Sequence, residues 1–299
     1  MVAAPCLREA PRLPFRLVPM RRATLNILAL VAASTGCAGV VADGSVIGDA
    51  DAASTTTALV VIERNEDRGQ SASAEASARF VRVASPSTGD EAIRSIGAGL
   101  VLPPPGSCYS YSAMSRSLGV PVVPQVELML AGDVSVEADG VATRLLPRQL
   151  PDVTDFVRGI VYARATDAAL LPSSKRYVVH VGGAVGLDAF DVSAQAPSDP
   201  SGVRIAGETE TGIVHVSERP VEMRWTPDAM NDPVYAEIIP SGVRCSLGAT
   251  GTSSIASAEF VDSGTLTIHR IHRETFHSPG IDSGEIRFDF ARAVAYVHD

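Results

Sequence analysis

The sequence predicts an all-β protein built from two antiparallel β-sandwich domains, and three observations lead there. Short apolar runs with period-two alternation recur along most of the chain. Turn signals such as Pro103-Pro104-Pro105-Gly106, Asp139-Gly140 and Gly182-Gly183 separate them, with no helical run between. The length, 299 residues, exceeds what one ordinary core fills. Many short strands at this spacing favour sandwiches over an α/β sheet, and 45% hydrophobic residues supply the interiors.

The first 37 residues follow a different logic. Arg21 and Arg22 precede an apolar stretch from Leu25 to Ala33, which ends in Ser34-Thr35-Gly36-Cys37. A basic region, a short apolar region and small residues at the cut form an export signal. The apolar stretch is far shorter than the roughly 20 residues that span a bilayer. Small residues running into a cysteine resemble the lipobox of bacterial lipoproteins. That resemblance implies cleavage before Cys37, diacylglycerol on its sulfur, a further acyl chain such as palmitate, and attachment to a membrane. Ala38 after the anchor, where an aspartate would retain the protein, implies the outer membrane. Ser34 departs from the aliphatic residue usual at its position, and a plain signal peptide with an incidental Cys37 is the competing reading.

Residues 1–19 carry Arg8, Arg12, Arg16 and four prolines, which suit no signal, whereas Met20 sits directly before the arginine pair. The expected start is therefore Met20. Twin-arginine export is disfavoured because Ala23 and Thr24 stand where an apolar residue should follow the pair. Removing residues 1–37 takes five arginines and one glutamate from the 25 basic and 34 acidic residues, leaving 20 and 33, a net charge of −13. Such a surface repels phosphate backbones, so no nucleic-acid partner is expected.

Residues 38–57, rich in Ala, Gly, Ser, Thr and Asp without period, read as a flexible tether. Asp49 and Asp51 lack the further acidic ligands and turn glycine of a calcium loop. The first domain is expected over 58–196. Leu59–Ile62 and Ala78–Val83 flank the polar turn Asn65–Gln70 as a hairpin, with Ser71–Ala78 a turn or two of helix. Gln125–Leu130, Val134–Val136, Phe156–Tyr162, Arg176–Val181 and Phe190–Ala194 complete its strands.

Two prolines and a glycine make 197–202 the linker, because they cannot continue a strand. Beyond it, over 203–299, lie Ile213–Val216, Val221–Trp225, Val234–Ile239, Val243–Leu247, Ala258–Val261, Leu266–His272, Ile286–Phe290 and Ala293–Val297. Eight strands in about a hundred residues match an immunoglobulin-like sandwich. The run Val221-Glu222-Met223-Arg224-Trp225-Thr226-Pro227, followed by Val234–Ile238, resembles the early strands of fibronectin type III modules. The resemblance covers some twenty residues and implies a fold, not an activity.

Three groups of residues invite a chemical reading. His269, His272 and His277 would suggest a metal ligand set. On a strand, however, an odd spacing turns His269 and His272 to opposite faces, so solvated strand-end residues beside Arg270 and Arg273 are expected and no metal site is predicted. Cys108 and Cys245 would be oxidised in an exported chain, but they fall in different expected domains. Two separate buried thiols are favoured over a disulfide. Tyr109 and Tyr111 are expected to pack rather than stack on sugars. The sequence lacks Gly-x-Ser-x-Gly, Ser-x-x-Lys, His-Glu-x-x-His and a phosphate loop, so neither an enzyme nor a cofactor is expected. The reading is an envelope lipoprotein acting as a structural, adhesive or ligand-binding module, with an unknown protein or glycan partner. The alternatives are an exported hydrolase and a secreted metal-binding protein using the three histidines.

Overall fold

A computed structural model describes residues 54–67, 71–83, 126–150, and 91–111 and 157–299 apart from 92, 95, 97, 211 and 218. These residues belong to one compact unit, Gly48–Asp299. The expected signal, Cys37 and most of the expected tether lie outside the described residues.

Eighteen strands are described, taken here in chain order. The first nine are β1 Thr55–Glu66, β2 Ser73–Val83, β3 Cys108–Ser110, β4 Val126–Leu128, β5 Val134–Ala138, β6 Val141–Leu150, β7 Val157–Asp167, β8 Arg176–Val181 and β9 Phe190–Gln195. The remaining nine are β10 Arg204–Ile205, β11 Glu208–Thr209, β12 Val214–Val216, β13 Val221–Arg224, β14 Val234–Ile239, β15 Val243–Gly248, β16 Thr252–Ile255, β17 Ser263–Ser278 and β18 Ile281–His298. The protein is all-β, as its period-two pattern predicts.

The sheets differ from two separate antiparallel sandwiches. Fourteen strands join one mixed sheet in the order β3-β15-β14-β17-β18-β1-β2-β4-β7-β6-β5-β8-β9, with β12 added on β18. A second sheet runs β11-β10-β13-β16. The mixing comes from β1, which pairs parallel to β18 from Thr57↔Ser283 to Glu66↔Arg292. Strands from both sides of 197–202 therefore share one hydrogen-bonded sheet.

Two cores form on this frame. The first gathers Val60, Phe80, Val136, Tyr162 and Val179 from the N-terminal strands with Phe276, Ile286, Phe288 and Phe290 from the tip of the β17–β18 hairpin. The second gathers Ile205, Met223, Trp225, Ala236 and Cys245 with Leu266, Ile268, Val294 and Tyr296 from the hairpin's base. The two longest strands, of 16 and 18 residues, thus run through both interiors. Glycine makes room at the tip. A Cβ on Gly284 would lie 2.3 Å from the Phe276 ring, which covers that position from the opposite strand.

Several local expectations change. Ser71–Ala78 is not helical, because Ala74, Ala76, Ala78 and Phe80 alternate inward and make 73–83 the full strand β2. Ala258–Val261 is no strand, since residues Ser257–Glu259 form a 3-10 turn. Ile286–Phe290 and Ala293–Val297 are one strand, and β1 begins inside the expected tether.

The two cysteines are bridged. β3 pairs antiparallel with β15 and sets Cys108 directly opposite Cys245, giving a disulfide across 137 residues. Their distance along the sequence concealed this, because only the sheet order sets the short edge strand β3 beside β15.

Candidate functional site

Along β1, β2 and β18 the even-numbered side chains fill the first core, so the odd-numbered ones line the opposite face of the main sheet. On β14 and β17 the same parity holds against the second core. The outward set includes Glu63 on β1, Glu75, Ser77 and Arg79 on β2, Tyr235 and Glu237 on β14, His269 on β17, and Arg287 and Asp289 on β18. With Arg244 of β15 and the segment Ala98–Leu100 they enclose a cleft of about 380 Å³. Residues 226 positions apart meet there, since Glu63 is the direct parallel neighbour of Asp289 and pairs across with Glu75.

The floor is a hydrogen-bonded relay. His269 Nδ1 lies 2.8 Å from Asp289 Oδ1, the Tyr235 hydroxyl donates to Asp289 Oδ2 at 2.6 Å, and the Tyr235 and His269 rings stack at 4.3 Å. Burial pushes the Asp289 carboxyl up, but bonds from His269 and Tyr235 outweigh it and hold the pKa below the ordinary carboxylate value. Tyr235 moves the opposite way: burial and the adjacent Asp289 charge keep its hydroxyl protonated. His269 Nε2 is enclosed and has no partner among the described residues.

At one end Arg244 donates to Glu237 through Nε at 2.9 Å and through a second nitrogen, and Tyr111 donates to the same carboxylate. These bonds keep the Glu237 pKa low against the effect of burial. The Arg244 guanidinium lies 4.9 Å from the Tyr111 ring centre and 5.3 Å from that of Tyr235. Tyr109 donates to the Val101 carbonyl. Both tyrosines are therefore engaged in packing. At the opposite end Arg287 is 2.6 Å from Glu285 and donates to the Ala98 carbonyl at 2.9 Å.

Glu63, Glu75 and Arg79 differ from their neighbours. None of their side chains makes a hydrogen bond or direct ion pair to another described residue. Glu63 is exposed to the cleft, and its pKa is raised first by the protein around it, then by the charges of Asp289 and Glu75. Three carboxylates in one cross-strand row are mutually unfavourable unless something answers them.

The three histidines separate. His269 sits in the cleft, and His272 turns to the other face, where Nδ1 meets Asp232 Oδ1 at 2.7 Å. His277 Nδ1 lies 2.7 Å from the Asp282 carbonyl. The strand keeps them apart as its alternation predicts, but His269 and His272 are not solvated, with side chains 13% and 18% exposed. Arg270 between them is fully buried, which no surface reading of a charged run anticipates. No group of three His, Cys, Asp or Glu side chains that could hold a metal ion occurs among the described residues.

No family model matches the sequence, and no curated protein matches it. Among solved structures the chain is similar to the Mu homology domain of Fcho1 from Danio rerio, described with a bound Eps15 peptide. The identity is 9% and the TM-score 0.21, with 82% of this chain and 97% of that one covered.

Proposed function

We propose that this chain is an exported lipoprotein of the cell envelope, held at the outer membrane through Cys37, that binds a small polar ligand in the cleft. Its two cores are read as β-sandwich domains, the C-terminal one immunoglobulin-like. The observation that carries the ligand reading is the row of Glu63, Glu75 and Asp289 lining an open cleft whose walls are locked by their own ion pairs. A locked wall around two carboxylates without a hydrogen-bonded partner, Glu63 and Glu75, is a preorganised binding surface, with the ordering of the wall's side chains completed before the ligand arrives. The Cys108–Cys245 bridge suits an oxidising compartment, which supports export.

The His269–Asp289 pair favours a second reading, an exported hydrolase, because an aspartate-held imidazole is the usual general base. Enclosure of Nε2 weighs against it, since a base must reach its proton. Binding is therefore preferred to turnover.

Two measurements test the proposal. Cys37→Ser should move the protein from the membrane to the soluble envelope fraction or leave its signal uncut. A processed variant that still fractionates with membranes defeats the anchor. Native mass spectrometry of membrane-extracted protein should show a small-molecule adduct that Glu63→Gln with Glu75→Gln removes. An adduct unaffected by the double variant defeats the cleft.

A further inference from the structure

The geometry points to a zwitterion of short-peptide size as the ligand of this cleft, its cationic end against Glu63 and Glu75 and its anionic end against Arg79. This rests on the cleft being a ligand site and adds the chemistry of what enters it.

The cleft is polarised along the strands. One end holds Glu63, Glu75 and Asp289 in a single cross-strand row. Two residues along β18 stands Arg287, and four along β2 stands Arg79. At about 3.3 Å per residue these offsets are about 7 and 13 Å between Cα atoms. Asp289 already accepts from His269 and Tyr235, and Arg287 is already committed to Glu285. The charges left for a ligand are therefore Glu63 and Glu75 at one end and Arg79 at the other, all lining the same cavity.

A purely anionic ligand would meet the carboxylate row, and a purely cationic one would meet Arg79 with Arg287 beside it. Each would leave one end of the cleft unanswered, and an unpaired charged group in a partly desolvated site is unfavourable. A molecule with both signs several bonds apart satisfies both ends at once. The raised Glu63 carboxyl fits this arrangement. The groups that face it are Asp289 on β18, Glu75 and Arg79 on β2 and His269 on β17, the two acids acting more strongly than the two basic groups. An ammonium group placed there would favour the ionised carboxylate and oppose that upward shift.

Isothermal titration of the detergent-extracted full protein with three related probes tests the assignment. Glycylglycine carries both charges, N-acetylglycylglycine only the anion and glycylglycinamide only the cation. Glycylglycine should bind saturably and about tenfold or more tighter than either blocked form, roughly 1.4 kcal/mol. Arg79→Met should lower glycylglycine to the level of glycylglycinamide without changing the latter, and Arg79→Lys should retain most of the affinity. Glu63→Gln should lower glycylglycine toward N-acetylglycylglycine. Equal affinities for the three probes, or no saturable glycylglycine binding, overturn the ligand class. In that case loss of the native adduct from Arg79→Met would leave the cleft itself standing as the site. Its retention in both Arg79→Met and Glu63→Gln would overturn the site together with its ligand.

Discussion

Arg270 and His272 lie two positions apart on β17 and are held by different means. The Arg270 guanidinium donates to the carbonyls of Ser198 and Asp199 at 3.2 Å and to that of Thr226, with Asp228 at 3.5 Å. The side chain is fully buried, so truncation would strip three carbonyls and a buried acid of their donor. Arg270→Ala should cost about 3–5 kcal/mol in a denaturant melt, and a loss below 1 kcal/mol would mean that water replaces it. His272 has its pKa raised chiefly by its bond to Asp232. A raised pKa places the stabilisation below the unfolded histidine value of about 6.5, and it is lost as pH climbs through the folded value. His272→Gln should therefore destabilise by about 1–2 kcal/mol on the acid side of that value and by progressively less above it. A difference that stays flat or grows toward alkaline pH contradicts the assignment.

The strip 197–202, expected from its prolines to be a plain linker, is clasped from two sides. Arg64 on β1 reaches Asp199 at 3.0 Å and the carbonyls of Ala168 and Leu171, while Arg270 on β17 grips the adjacent backbone. Its composition stops a strand, yet the strip is an anchored crossing between two cores. At the other end of the main sheet, β3 has only three residues and pairs with β15 alone, and the Cys108–Cys245 bridge fastens it covalently. Cys108→Ser with Cys245→Ser should cost about 2–5 kcal/mol, given the long loop it closes. Hydrogen exchange should rise first in β3 and the facing edge of β15. Uniform exchange changes across the sheet would show that the bridge acts on the unfolded chain alone.

At the scale of the whole molecule, the two cores share one hairpin. A fragment of residues 199–299 retains Trp225 and most of the second core but strips β18 of β1 and leaves Phe276, Ile286, Phe288 and Phe290 without the first core. Four large apolar side chains and a long open edge favour aggregation over folding. The fragment is expected to lack a cooperative transition in Trp225 fluorescence. A sharp two-state melt of soluble fragment would show that the second core closes without its neighbour.

The sequence by itself determined several strands from their alternating or continuous apolar runs. Arg176–Val181 and Val234–Ile239 occur with those bounds, and Leu59–Ile62 lies within β1. It also determined the opposed faces of His269 and His272, because side-chain direction on a strand is a local, period-two property. The short strands β10, β11 and β16 escaped notice, having too few residues to show a period. Within β18 the signal for the cleft was present as Glu285, Arg287 and Asp289 alternating with Ile286, Phe288 and Phe290, but such a pattern ordinarily marks a solvated face. Only the tertiary structure turned that face into a cleft. It did so by laying β1 parallel to β18, setting β2 and β17 on either side, and closing the row with Ala98–Leu100. Pairing between strands more than two hundred residues apart depends on how cores assemble, and neither residue order nor periodicity encodes which distant carboxylate will stand beside Glu63.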